Sequence, residues 1–461
     1  MANSQYRTTP QQIDTMPPGI PYIIGNEVAE RFSFYGMRAI LYVFMTEHLL
    51  SASGTSAVMD KETATEWQHW FMVGVYALPI VGAIISDWLW GKYRTIITLS
   101  LAYCAGHGVL ALVDFPQVTS AEPKTLLLIA LCLLSLGAGG IKPCVSAHVG
   151  DQFGHQNQRL LPRIFQWFYF SINLGAAASM ILTPRLLDAF GPGVAFGTPG
   201  VLMAIATFVF WLGRNKFVHI PATGNRLFAE IMSPDSRRAI FNMLPVFIFT
   251  MMFFCLFDQT QSRWVEQAKA MNRNVMGFDF NPSEFQAVNS IFVLILVPIF
   301  GMIVYPACER FFEVTPLRKI GVGLFVTAAS FAICAIVQKW IDGGGHPHIA
   351  WQVLAYVIIT AGEVLVSITV LELSYTQAPQ KIKSFMMGVF MLVAIAGGNV
   401  LTAVVNGRIK SLEAGGYQFL TGANYYWTFT IAMVATAVVF VIWSQFYRGQ
   451  TYIQGDESAS H

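Results

Sequence analysis

The stretch Glu27-Val28-Ala29-Glu30-Arg31-Phe32-Ser33-Phe34-Tyr35-Gly36-Met37-Arg38 decides how this chain is read. It lies inside an otherwise apolar segment, residues 21–49, long enough to cross a bilayer. Yet it carries two carboxylates and two guanidiniums. On a helix, positions 27, 30, 31, 34, 35 and 38 obey the i, i+3, i+4 rule and share one face. A charge at bilayer depth costs several kcal/mol unless it faces a partner or a polar cavity. The stripe is therefore expected to line the inside of a helix bundle, either as a functional site or as an ion-pair cluster that fixes packing.

Composition supports a polytopic membrane protein. The 461 residues are 54% hydrophobic and 12% charged, with mean hydropathy +0.52. A soluble domain carries about twice that charged fraction. A net charge of +2 gives no reason to expect a nucleic-acid partner. The six cysteines, Cys104, Cys132, Cys144, Cys255, Cys308 and Cys334, sit in or beside apolar runs without metal-type spacing, and read as small buried hydrophobes. Residues 1–20 hold one Arg and no apolar core, so no cleavable signal is expected and the first span serves for insertion.

Apolar runs predict twelve spanning helices, at 21–49, 68–89, 95–114, 124–148, 162–184, 194–213, 239–263, 286–308, 317–340, 349–375, 384–408 and 424–447. An even number puts both termini on one side. Sixteen Lys and Arg fall on that side and eight on the other, so both termini are expected in the cytoplasm of a cell (inner or plasma) membrane. The longest loop on the termini's side, 214–238, divides the helices six and six. The expected organisation is a tail 1–20, a first bundle 21–213, a linker 214–238, a second bundle 239–447 and a tail 448–461. Two six-helix halves match the architecture of the major facilitator superfamily. Gly82…Asp87…Gly91-Lys92-Tyr93-Arg94 resembles the G-x-x-x-D-x-x-G-[RK]-x-[RK] loop of that superfamily, with Trp88 where an Arg is usual.

Further polar residues interrupt the apolar spans. Gly139-Gly140-Ile141-Lys142-Pro143 places small residues for close helix packing beside a lone ammonium. That ammonium needs an anion, Glu27, Glu30 or a ligand carboxylate, unless it snorkels to the interface. Tyr169 and Asn173 share a face of the fifth span and suit a ligand or an interhelical hydrogen bond. The second half offers Asp258, Asn289 and an isolated Glu363. His69 opens the second span with Tyr76 two turns on; it is either a plain hydrogen-bonding group or a proton-titrating one. The first half thus presents Arg31, Arg38 and Lys142 against Glu27 and Glu30, and the second Asp258 and Glu363 with Arg263 at the end of its span. A positive wall and a negative wall suit a zwitterion, either an amino acid or a short peptide.

Together these residues resemble the proton-dependent oligopeptide transporter family, POT or PTR. Glu27-x-x-Glu30-Arg31-Phe32-x-Phe34-Tyr35-Gly36 is similar to its E-x-x-E-R-F-x-Y-Y-G. Gly139 to Pro143, Phe168 to Gly175, Phe257 to Trp264 and Gly362 to Pro379 resemble further signatures of the same family. The resemblance implies a symporter that imports di- and tripeptides with protons by alternating access. It needs no cofactor beyond the proton gradient, lies in a lipid bilayer and works as a monomer. It implies that Arg38 and Lys142 hold the peptide carboxylate, Glu363 the amine, and Asn173 and Asn289 the amide or a terminus. Tyr35, Tyr76, Tyr169, Trp264 and Phe390 line side-chain pockets. Glu27, Glu30, Arg31 and Asp258 couple protons, and His69 falls where animal members have a coupling histidine. Asp258, when deprotonated, is expected to pair with Arg38. Two departures bear on substrate preference: Phe34 replaces a Tyr, and Phe390 stands where many members have Trp. The linker is too short for the two extra helices of many bacterial members.

Other readings are a family member for nitrate, an amine or a glycoside conjugate, or a receptor that senses peptides without moving them. The intact E-x-x-E-R motif argues against the first, and the short polar stretch after Tyr447 against the second. No Ser/His/Asp triad, metal cluster or nucleotide loop is present in the sequence, so an enzyme is not expected.

Overall fold

Twenty-four residues at a rise of about 1.5 Å each make a rod of roughly 36 Å, enough to cross a bilayer, and the first helix, α1 (Ile20–Val43), has that length. The structure, a computed structural model, describes residues 6–115, 121–154, 156–157, 160–222, 224–379, 382–416, 420–447 and 449. The side chains of 161–163, 165–170, 375, 383 and 384 lie outside that description.

Among the described residues, ten helical segments are long and apolar enough to span a membrane. They are α2 (Lys61–Trp90), α3 (Lys92–Leu112), α4 (Pro123–Asp151), α6 (Pro192–Asn215), α7 (Pro234–Lys269), α8 (Pro282–Glu309), α9 (Pro316–Asp342), α10 (Ala350–Ser374), α11 (Phe385–Ala414) and α12 (Ala423–Ser444). Helix α1 falls outside this set because its four charges break its apolar run. The 30-residue α5 (Leu161–Phe190) completes a row of twelve long helices among the described residues. The chain is an all-α polytopic membrane protein. The six cysteines are free.

The chain divides into two compact units. One comprises Met1–Ala64 and Gly74–Leu227, the other Thr65–Val73 and Phe228–His461. In the first unit α1 packs on α5 and α6, and α3 packs on α4 and α6. In the second, α9 packs on α10 and α12, α8 on α10, and α7 on α11. The first turns of α2, residues 65–73, are thus assigned with the second unit, although they precede most of the first in sequence.

Three local features differ from the expected spans. Helix α7 is not one rod: an α-helix Pro234–Phe257 gives way to a tight 3-10 turn, Asp258–Gln261, and resumes at Arg263–Lys269. Ser262 at the break has φ −131° and ψ −82°. Helix α11 contains a wide π turn, Met391–Ala396, directly before Gly397. The stretch 214–238 is partly folded: Phe217 is buried and packs against Phe210 and His148. The backbone N–H of His219 donates to Arg7 O at 2.8 Å, its ring stacks on Tyr6, and Val218 exchanges hydrogen bonds with the Gln152 side chain. A short helix, Arg226–Ile231, follows.

Candidate functional site

In the first unit, the charged stripe of α1 is buried, as charge at that depth requires. Glu27, Glu30 and Arg38 are each 3% exposed or less. Arg31 Nε donates to Glu27 Oε1 at 2.6 Å and lies 3.2 Å from Glu30 Oε2. One guanidinium therefore serves two carboxylates, Glu27 at i, i+4 spacing and its sequence neighbour Glu30.

Lys142 has a different setting from the one expected. Its ammonium sits 4.3 Å from the centroid of Phe34 and 4.5 Å from that of Tyr76. Among the described residues no carboxylate lies within ion-pair distance of it. Two aromatic faces substitute for the anion, each attracting the cation through the ring quadrupole. Glycine makes the contact possible: a Cβ at Gly139 would stand 2.8 Å from Val75 O, so only a bare backbone lets α4 approach α2 closely enough. Arg38 also lies beside Phe34, at 6.0 Å from the ring centroid, and Tyr35 meets Phe34 edge-on. Tyr76 and Tyr35 are half-buried. Asn173 is buried on α5. The side chain of Tyr169 lies outside the described residues.

In the second unit, two polar groups form. In one, Asn289 Nδ2 on α8 donates to Glu363 Oε2 on α10 at 2.7 Å, and the same nitrogen lies 3.0 Å from Thr360 Oγ1. Both Asn289 and Glu363 are half-buried. In the other, Asn399 Nδ2 on α11 donates to Asp258 Oδ2 at 2.6 Å. Asn399 Oδ1 lies 2.6 Å from His69 Nδ1, and His69 Nε2 lies 3.2 Å from Ser262 Oγ. His69 and Asp258 are both buried. His69 is thus a wholly buried member of a hydrogen-bonded row. Arg263 Nε donates to Asn406 Oδ1 at 3.0 Å, and the guanidinium lies over Tyr425.

Two residues expected to line pockets stand in packed aromatic clusters. Trp264 is fully buried against Tyr356, at 4.8 Å between ring centroids, and Phe331. Phe390 is buried against Phe247 and Phe254. Sequence reasoning passed over Thr360, Asn399, Asn406 and Tyr425. The signal for Asn399 and Asn406 was present: polar amides in an apolar span.

A sequence profile described as "PTR2: POT family" matches residues 93–232 and 225–420. The chain belongs to the POT family. Peptide transporter 3 of Caenorhabditis elegans is 35% identical over 374 residues, covering 72% of this chain and 52% of that protein. Solute carrier family 15 member 1 of Homo sapiens is 33% identical over 386 residues, 71% of this chain and 52% of its own. This POT chain spans about half the length of the curated relatives it matches. A crystal structure of an auto-inhibited POT family peptide transporter is 31% identical with a TM-score of 0.83, and the match covers 95% of this chain and 99% of the other. The POT family transporter PepTSo is 32% identical, also at TM-score 0.83, over 94% and 99%. The POT fold thus extends over nearly all of the chain.

Proposed function

We propose that this protein imports di- and tripeptides together with protons by alternating access. The observation that carries the reading is Lys142. Its ammonium rests on Phe34 and Tyr76 with no carboxylate in ion-pair reach among the described residues, a setting suited to an incoming carboxylate. Arg38 supplies a second cation for the peptide carboxylate, with two parallel donors. Glu363, steadied by Asn289, receives the amine, and Asn173 receives the peptide amide or a terminus. Tyr35, Tyr76 and Tyr169 contact the ligand's side chains.

Protons load at the carboxylates of α1 and at the Asp258–Asn399–His69 row. All three carboxylates, Glu27, Glu30 and Asp258, are buried. The protein acts as a monomer in the plasma membrane, with both termini in the cytoplasm. The names of the relatives support this reading, as do the matched family signatures.

The test is uptake of a labelled dipeptide into liposomes carrying the purified protein, with an imposed proton gradient. Accumulation that competes with unlabelled di- and tripeptides and collapses with an uncoupler is the expected result. Accumulation of nitrate or an amine instead, with no peptide uptake, refutes the proposal.

A further inference from the structure

Asn399 joins two ionisable residues and has one possible orientation. Its side-chain nitrogen lies 3.0 Å from Ile395 O as well as 2.6 Å from Asp258 Oδ2. A backbone carbonyl only accepts hydrogen bonds. The amide nitrogen must therefore face Ile395, and both its hydrogens are used by these two acceptors. The amide oxygen then faces His69 Nδ1 at 2.6 Å and can only accept. Nδ1 must carry a hydrogen. We propose that Asn399 is a positioning residue of the proton-coupling row, which holds His69 as its Nδ1–H tautomer so that an arriving proton binds at Nε2.

The consequence falls on Ser262. With His69 neutral, Nε2 is an acceptor, and the Ser262 hydroxyl, 3.2 Å away, donates to it. With His69 protonated, Nε2–H donates, and the Ser262 hydroxyl hydrogen must turn elsewhere. Ser262 is the residue at which α7 changes from the 3-10 turn to the helix Arg263–Lys269. Protonation therefore reverses a hydrogen bond at the break in α7, while Asn399 ties the same ring to Asp258. A π turn immediately before Gly397 and the close approach of α11 to α7 set the amide in place. A Cβ at Gly398 would stand 2.7 Å from Met251 O and from Cys255 N, so any larger residue would push the amide away from Asp258. Among the described residues of this unit, Asp258 on α7 reaches the ring through Asn399, Arg263 follows Ser262 in sequence, and Glu66 lies one turn before His69 on its own helix. Arg263 is engaged with Asn406, and a Cβ at Gly407 would meet the Glu66 carboxylate at 3.3 Å.

This inference rests on the reading of His69 as a coupling group, and the two are tested separately. Nitrogen-15 NMR of histidine-labelled protein in lipid nanodiscs, with the His69 signals assigned by their loss in His69→Gln, reads the tautomer without transport. In the neutral state the expected spectrum has a protonated Nδ1 and a bare Nε2. A bare Nδ1 overturns the proposal in the wild type alone, whether or not any variant folds. Asn399→Leu removes the acceptor and should populate the Nε2–H form; an unchanged tautomer also overturns it. In gradient-driven dipeptide uptake, the pH profile of Asn399→Leu should differ from that of the wild type, because the ring has lost the acceptor that fixes which nitrogen carries the proton. A wild-type profile in Asn399→Leu refutes the positioning role. Absence of uptake by the wild type refutes the transport reading instead, and with it the coupling role of the row.

Discussion

Replacing Glu363 by Gln tests the amine site most directly, because the structure makes the change nearly isosteric. Asn289 Nδ2 donates to Glu363 Oε2 at 2.7 Å, and a glutamine carbonyl oxygen can accept the same bond. Thr360 Oγ1, 3.0 Å from the Asn289 nitrogen, holds the donor where it is. The scaffold around residue 363 should therefore survive, and the loss falls on the negative charge. A hydrogen bond between a carboxylate and an ammonium contributes about 1.5–3 kcal/mol. At roughly 1.4 kcal/mol per factor of ten, affinity for an unmodified dipeptide should fall about 10- to 150-fold. An N-acetylated dipeptide has no ammonium, so its affinity should change far less. The assay is competition by each ligand against uptake of a labelled dipeptide in liposomes, with inhibition constants compared between wild type and Glu363→Gln. Equal losses for the free and the acetylated ligand would show that Glu363 does not bind the amine. A loss confined to driven uptake, with both inhibition constants unchanged, would instead make Glu363 a proton site.

Lys142→Ala should abolish gradient-driven uptake, because it removes the cation that Phe34 and Tyr76 hold; wild-type uptake refutes the carboxylate role. Arg38→Lys should also weaken binding, about 10-fold or more if two parallel donors become one ammonium, read as a raised inhibition constant. Asp258→Asn should retain peptide counterflow yet lose accumulation driven by a proton gradient; accumulation at the wild-type level excludes Asp258 from coupling. Away from the membrane spans, His219 is held below the ordinary histidine range by burial first, while its bond to Arg214 O opposes that and Arg94 reinforces it. Its neutral form is thus favoured by the fold, so stability present above about pH 6.5 is lost as pH falls through the unfolded value toward the lowered one. The protection factor of the His219 N–H bonded to Arg7 O, its exchange rate set against the intrinsic rate at each pH, should be smaller at pH 5 than at pH 7.5, and His219→Phe should remove that difference; an unchanged protection factor in the wild type refutes the argument.

Much of this protein follows from one-dimensional rules. A helix in lipid satisfies its own backbone, so apolar length alone marks the spans, and charges within them must turn inward. That is why the buried α1 stripe and the Arg31–Glu27 pair at i, i+4 were legible in the sequence. The family signatures added which of these residues bear on peptide and proton. The partners were a different matter, because they come from residues distant in sequence. Nothing local says that Lys142 rests on two aromatic faces instead of a carboxylate; that depends on α4 meeting α2 at Gly139. Trp264 and Phe390 read as pocket residues by motif, yet the neighbours on other helices place them in packed clusters. The break in α7 at Ser262 carries no proline to announce it. His69 and Asn399 are 330 positions apart, and only the packing of residues 65–73 with the second unit brings a histidine from the first quarter of the chain to an amide in its last. Helix periodicity fixes which face a side chain takes; the packing of one helix on another decides what it meets there.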